Sequence, residues 1–172
     1  MHIRRQLTVA SPLSAGNIIG ATLDTIARRD ASERVRNAIA MEFSARDVLL
    51  TDSGTSALVL ALRVFAKLTM PVAMPADVCV DLIAAARRAG VRVRLFALAP
   101  HPLSPDMDSL QRVMSAGVSA LVIAHLYGFP ADMPTVMKMA RAAGVPVIED
   151  AAQHAGATIA GRSAGSFGDV TV

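Results

Sequence analysis

Tryptophan is absent, tyrosine occurs once, and aromatic residues make up only 3% of the chain. The core must therefore be assembled from Ala, Val, Leu, Ile and Met. Cysteine is limited to Cys79, which excludes an internal disulfide and fits a reducing compartment. No apolar run approaches the ~18 residues of a membrane-spanning helix. The best candidate, residues 116–122, is broken by Gly117 and Ser119. Near the start, the apolar stretch 7–10 is shorter than the ~7–15-residue core of a signal peptide. These absences predict a cytoplasmic location and no membrane association. Lysine occurs only at Lys67 and Lys138, so the net charge of +3 rests on arginine. The pairs Arg4-Arg5, Arg28-Arg29 and Arg87-Arg88 are scattered and have no interleaved aromatics. They read as solvated helix faces and argue against a nucleic-acid partner.

What is present is apolar and ordered. Hydrophobic residues reach 53% against 18% charged, a balance that excludes disorder. A length of 172 residues supports one domain with a sizeable core, not two. Short β-branched runs alternate with longer Ala- and Leu-rich stretches. Strands are predicted at 47–51, 71–74, 91–96, 119–124, 145–149 and 170–172. Helices are predicted at 55–67, 77–89, 106–115 and 132–143. Gly90 and Gly144 stand where the second and fourth of these should end, and Ser104 or Asp106 should cap the third. Near-continuous apolar strands separated by helices predict an α/β fold: a mostly parallel sheet with helices on both faces. Residues 1–45 read differently, as a helical lead-in with helices over 13–29 and 31–44. Residues 46–172 form the α/β domain.

In an open parallel sheet, ligands bind beyond the carboxyl ends of the strands. Three stretches lie at such ends, and a fourth leads into the last predicted strand. Asp52-Ser53-Gly54-Thr55-Ser56-Ala57 follows the first predicted strand and opens a helix. Small residues admit a ligand close to the backbone, and hydroxyls with free N–H groups at a helix start suit a phosphate. An ordinary capped helix start fits the same residues. It is neither G-x-G-x-x-G nor a P-loop. Glu149-Asp150-Ala151-Ala152-Gln153-His154 follows the strand at 145–149. A carboxylate there can hold a pyridine nitrogen protonated, and equally can cap a short helix. His125-Leu126-Tyr127-Gly128 places a histidine at a strand tip. That residue is either a ligand group or a satisfied structural histidine. No other residue stands at metal-ligand spacing near it, so no metal site is expected. A serine-hydrolase elbow, G-x-S-x-G, is missing. The Gly-rich stretch 161–169 implies tight turning before a last short strand.

Taken together, these stretches resemble the DegT/StrS family of pyridoxal-phosphate (PLP)-dependent sugar aminotransferases. The matching segments are G-T-S-A-L-V-L-A-L (54–62), A-H-L-Y-G-F-P-A-D-M (124–133), V-P-V-I-E-D-A-A-Q (145–153) and G-S-F-G-D (165–169). They follow the family's order, and the resemblance covers residues 8–172. It implies a fold-type I PLP-transferase large domain, incomplete here, and a homodimer in the full-length form. The implied substrates are a nucleotide-linked keto-sugar as acceptor and an amino acid, typically glutamate, as donor. Gly54, Thr55 and Ser56 would hold the PLP phosphate, Asp150 the pyridine nitrogen, and Gln153 the ring's 3-hydroxyl.

Two departures stand out. Cys79 occupies the position where the family has an aromatic that stacks on the ring, which leaves stacking weaker or assigned to His125. The family's Schiff-base lysine would fall after Val172, so no catalytic lysine is expected within these residues, and Lys67 and Lys138 lie in helices away from the strand tips. The expectation is a fragment of such an aminotransferase, inactive in transamination alone. The alternatives are a non-catalytic dimerisation module and a lysine-less PLP sugar dehydratase. Uncovered strand edges and helix faces further predict poor solubility in isolation.

Overall fold

The strands that carry the sheet are short, parallel and apolar on both faces. In the computed structural model, which describes residues 14–27, 29–67, 69–100 and 103–172, five strands lie in the order β2-β1-β3-β4-β7. They are β1 (Val72–Pro75), β2 (Val93–Phe96), β3 (Ala120–Ala124), β4 (Val147–Asp150) and β7 (Val170–Thr171). Every pairing in this sheet is parallel. The α/β expectation holds, with a five-stranded parallel sheet at its centre.

Side-chain alternation along each strand feeds two separate cores. Val72, Met74, Ala120, Val122, Ala124 and Ile148 pack with α3 (Gly54–Phe65) and α4 (Val80–Ala89). Ala73, Leu121, Ile123 and Val147 pack on the other face with α5 (Met107–Ser115) and α6 (Met133–Ala143). This two-sided burial is why the strands read as continuous apolar runs.

Helix boundaries follow local chemistry. Ser53 Oγ accepts the Ser56 amide at 3.2 Å to open α3, and Asp106 and Asp132 accept the Ser109 and Thr135 amides at 2.7 and 3.2 Å to open α5 and α6. Of the two caps considered for α5, Asp106 is the one used. Gly90 and Gly144 close α4 and α6 with φ of 73° and 66°, as their positions predict.

The strand expected at 47–51 does not form. Those residues pair with no other strand among the described residues, and Leu49 and Leu50 are exposed. A strand is defined by its ladder partner, and an apolar run without one stays irregular. The Gly-rich stretch holds an unexpected antiparallel hairpin, β5 (Thr158–Ile159) with β6 (Arg162–Ser163). Its two turn residues, Ala160 and Gly161, both have positive φ, the arrangement whose twist suits a two-residue hairpin.

The chain separates into two compact units, residues 1–35 and 36–172. The sheet, its four covering helices and the hairpin all belong to the second. The described part of the first contains α1 (Ala15–Ile26), capped by Ser14, and the start of α2 (Ser32–Phe43). The Arg4-Arg5 pair, Arg28, the apolar stretch 7–10 and the first residue of the expected helix 13–29 lie outside the described residues. No helix among the described residues is long and apolar enough to cross a membrane.

Candidate functional site

Four elements converge at the carboxyl end of the sheet: the start of α3, the start of α4, the turn after β3 and the turn after β4. Between them lies a cavity of about 350 Å³ bordered by Ser53, Gly54, Thr55, Cys79, Asp150 and Gln153, with Leu58, Leu82 and Leu126 as apolar lining. That size falls within the ~300–1,000 Å³ of small-molecule sites, and the mixture of an apolar lining with a few polar groups is their usual composition.

The α3 side suits an anion. Ser53 is extended and uses both its oxygens on the helix, Oγ toward the Ser56 amide and the carbonyl toward the Ala57 amide at 3.1 Å. The amides of Gly54 and Thr55 are the helix's first two and have no intrahelical acceptor. The space a Gly54 side chain would take has no atom within 4 Å. Ser56 does not border the cavity. Its hydroxyl lies 3.1 Å from Ser53 Oγ, and its hydrogen bond to Asp52 holds that carboxyl below its usual range.

The β4 side carries a carboxylate with no cation partner among the described residues. Asp150 ends β4, its Oδ1 accepts only the Ala152 amide at 3.1 Å, and it belongs to no ion pair. Burial pushes its carboxyl above the ordinary value, against the smaller opposing pull of that amide and of His125. Such a group is relieved by a positively charged ligand atom. Gln153 accepts the Tyr127 amide through Oε1 at 2.6 Å, which leaves its NH₂ to donate elsewhere. Cys79 precedes α4 without capping it, and its Sγ stands 3.5 Å from Asp81 Oδ2.

His125 borders the cavity and is held by two hydrogen bonds. Its side chain is fully buried, Nδ1 accepts the Ala131 amide at 3.1 Å, and Nε2 lies 2.9 Å from Glu149 Oε1. Because Nδ1 accepts, the proton sits on Nε2 and is donated to Glu149. Both ring nitrogens are thus engaged within the protein, while the residue borders the cavity.

Sequence reasoning passed over two residues. Ser53 was readable as a cap from its position three before Ser56. Glu149 was readable from strand parity. Val147 and Glu149 share the α5/α6 side of β4, so Glu149 had to be a buried charge in need of partners. It accepts four hydrogen bonds: His125 Nε2 and Gly165 N on Oε1, Phe167 N and Gly168 N on Oε2. Burial pushes its carboxyl up, and these four donors together outweigh it and hold it below its ordinary value. Gly168 passes so close that an added Cβ would lie 2.8 Å from Glu149 Cβ and from the Val170 carbonyl oxygen. Asp169, last of the G-S-F-G-D run, accepts the Val147 amide at 2.8 Å and is structural. Among the described residues no group of three or more His, Cys, Asp or Glu is placed to hold a metal ion.

The comparisons with known proteins agree with this architecture. The UDP-N-acetyl-3-dehydro-alpha-D-glucosamine 3-aminotransferase of Acidithiobacillus ferrooxidans is 46% identical over 61 residues, which are 36% of this chain and 16% of that protein. An aminotransferase from Psychrobacter cryohalolentis matches in structure with a TM-score of 0.84 at 21% identity, covering 93% of this chain and 42% of the other. An Escherichia coli GDP-4-keto-6-deoxy-D-mannose-3-dehydratase with bound hydrated PLP matches with a TM-score of 0.85 at 18% identity, covering 97% and 46%. At such identities the structural likenesses concern the fold. The chain thus spans less than half the length of each of these proteins. The model of the DegT/DnrJ/EryC1/StrS aminotransferase family matches residues 24–172, and the chain belongs to that family.

Proposed function

We propose that this chain supplies the phosphate- and pyridine-binding side of a PLP site in an aminotransferase acting on a nucleotide-linked keto-sugar with an amino-acid donor. One observation carries the reading. A helix start with unengaged amides and a partly buried carboxylate with no cation partner among the described residues border the same cavity. PLP is a dianionic phosphate joined to a basic ring nitrogen, so the helix start suits the one group and the carboxylate the other.

In this reading the Gly54 and Thr55 amides and the Thr55 hydroxyl receive the phosphate, helped by the α3 dipole. Ser56 contributes through the cap rather than by contact. Asp150 holds a proton at the ring nitrogen. The Gln153 NH₂ donates to the ring oxygen while Oε1 stays on Tyr127. Leu58, Leu82 and Leu126 keep water from the ring, and Cys79 closes the α4 side. PLP, once bound, supplies the electron sink for amino-group transfer. Neither Lys67 nor Lys138 borders the cavity, so these residues are assigned cofactor holding rather than turnover. The family's homodimer is the assembly in which the site is completed.

A titration of the purified chain with PLP, followed by cofactor absorbance, tests this. Saturable binding is expected, with pyridoxal, which lacks the phosphate, binding about tenfold more weakly or worse. Equal affinity for the two, or no saturation, would refute it.

A further inference from the structure

Among the described residues Glu149 is the one fully buried acid; its carboxylate meets the cavity lining only through its hydrogen bond to His125, and the site as described above does not use it. Its four donors come from two separate places. His125 belongs to the segment between β3 and α6, and its Nδ1 fixes the Ala131 amide at the far end of that turn. The same turn supplies Leu126 to the cavity and the Tyr127 amide to Gln153. The other three donors, at Gly165, Phe167 and Gly168, belong to the loop that leads into β7. Beyond β7, Val172 borders the cavity and is bonded through its amide to the Glu149 carbonyl at 2.9 Å.

We infer that Glu149 is a positioning residue for the cofactor cavity, whose single carboxylate ties the 125–131 turn to the 165–172 segment and fixes the Nε2–H tautomer of His125. The cavity's use for PLP rests on the reading given above; the tie between its walls does not. A charged carboxylate offers enough lone pairs for four donors, and an amide does not. In Glu149→Gln, one oxygen becomes an NH₂ that faces donors. Either loop amides lose their acceptor, or the NH₂ donates to His125 Nε2. The second outcome moves the His125 proton to Nδ1, against the Ala131 N–H. A change at residue 149 is therefore felt at residue 131, which Glu149 does not touch.

The test is imidazole ¹⁵N NMR with amide exchange on the full 172-residue chain, beside PLP titration. Wild type should show His125 as the neutral Nε2–H form. Glu149→Gln should alter that tautomer signature, speed Ala131 amide exchange about tenfold and weaken PLP about tenfold, the scale of one lost hydrogen bond to a charged group. Should Glu149→Gln not fold, His125→Asn decides. Its Oδ1 can still accept from Ala131 but the side chain cannot reach Glu149, so Ala131 should stay protected while PLP still weakens about tenfold. Wild-type His125 found as Nδ1–H or as imidazolium would overturn the inference, as would folded variants that keep wild-type PLP affinity. If wild type binds no PLP, the cofactor reading fails alone. The tautomer and the Ala131 exchange then still decide whether Glu149 ties the two walls.

Discussion

On the α5/α6 face of the sheet, the last polar side chain of β4 is Glu149, with four hydrogen-bond donors. On the α3/α4 face its neighbour Asp150 has one. The two acids are adjacent in sequence, Glu149 fully and Asp150 partly buried, and their carboxyls move in opposite directions, Glu149 down and Asp150 up. The contrast separates an acid whose oxygens are all engaged by the fold from one with a single donor. In the proposed reading it is the shortage of partners, not burial, that assigns Asp150 to a ligand.

Substitutions can break this contrast. The largest effect is expected for Glu149→Leu, which leaves His125 and three amides without an acceptor and should cost about 3–5 kcal/mol in urea unfolding. Asp150→Asn should do the reverse. It removes an uncompensated charge and raises the thermal midpoint of the free chain at neutral pH, while weakening PLP about 30-fold, the low end of what a broken buried charge pair costs. A lower midpoint would show that Asp150 is already satisfied. Gly168→Ala forces a methyl against Glu149 and should cost about 1–3 kcal/mol with little change at α3.

Acid titration sharpens the same comparison. Glu149 has a lowered folded pKa, so its contribution is complete above the ordinary value of 4.5 and is lost as pH falls through the folded value. Asp150 has a raised folded pKa, so it costs stability once ionised, and that cost is relieved as pH falls from its folded value toward 3.8. Measured against pH, the stability of Asp150→Asn should converge with wild type in acid, while that of Glu149→Leu should converge only at still lower pH. The smallest effects are expected at the caps. Ser53→Ala and Asp106→Ala should each cost about 1 kcal/mol, and only the first should reduce PLP affinity. Equal effects on PLP would remove the distinction between the two faces.

Much of this was legible in the residues. The alternation of apolar runs and helices, the glycines at 90 and 144, and the cap at Asp106 are local signals with short-range causes. The convergence of Cys79, Asp150 and Gln153 follows from strand direction, because parallel strands bring their carboxyl ends to one edge, whereas Gly54 and Thr55 reach the same cavity at the start of α3 with no strand before them among the described residues. What was not legible depended on partners distant in sequence. Residues 47–51 have a strand's composition but no ladder to join. Ser56 looked like a ligand because its use in the cap depends on where Ser53 points. The hydrogen bond that fixes His125 was not legible because it requires Glu149, 24 residues later, and the three loop amides were hidden inside a stretch that read only as glycine-rich.

The lone tyrosine gives the molecule a built-in optical reporter. Tyr127 is exposed and adopts a left-handed backbone conformation, and its amide is held by the Gln153 oxygen. With tryptophan missing, all long-wavelength protein fluorescence comes from this one ring. A ligand that takes the Gln153 NH₂ while Oε1 stays on the Tyr127 amide lies one side chain from that residue, so a change in its emission on adding ligand follows occupancy of the cavity without attaching a label.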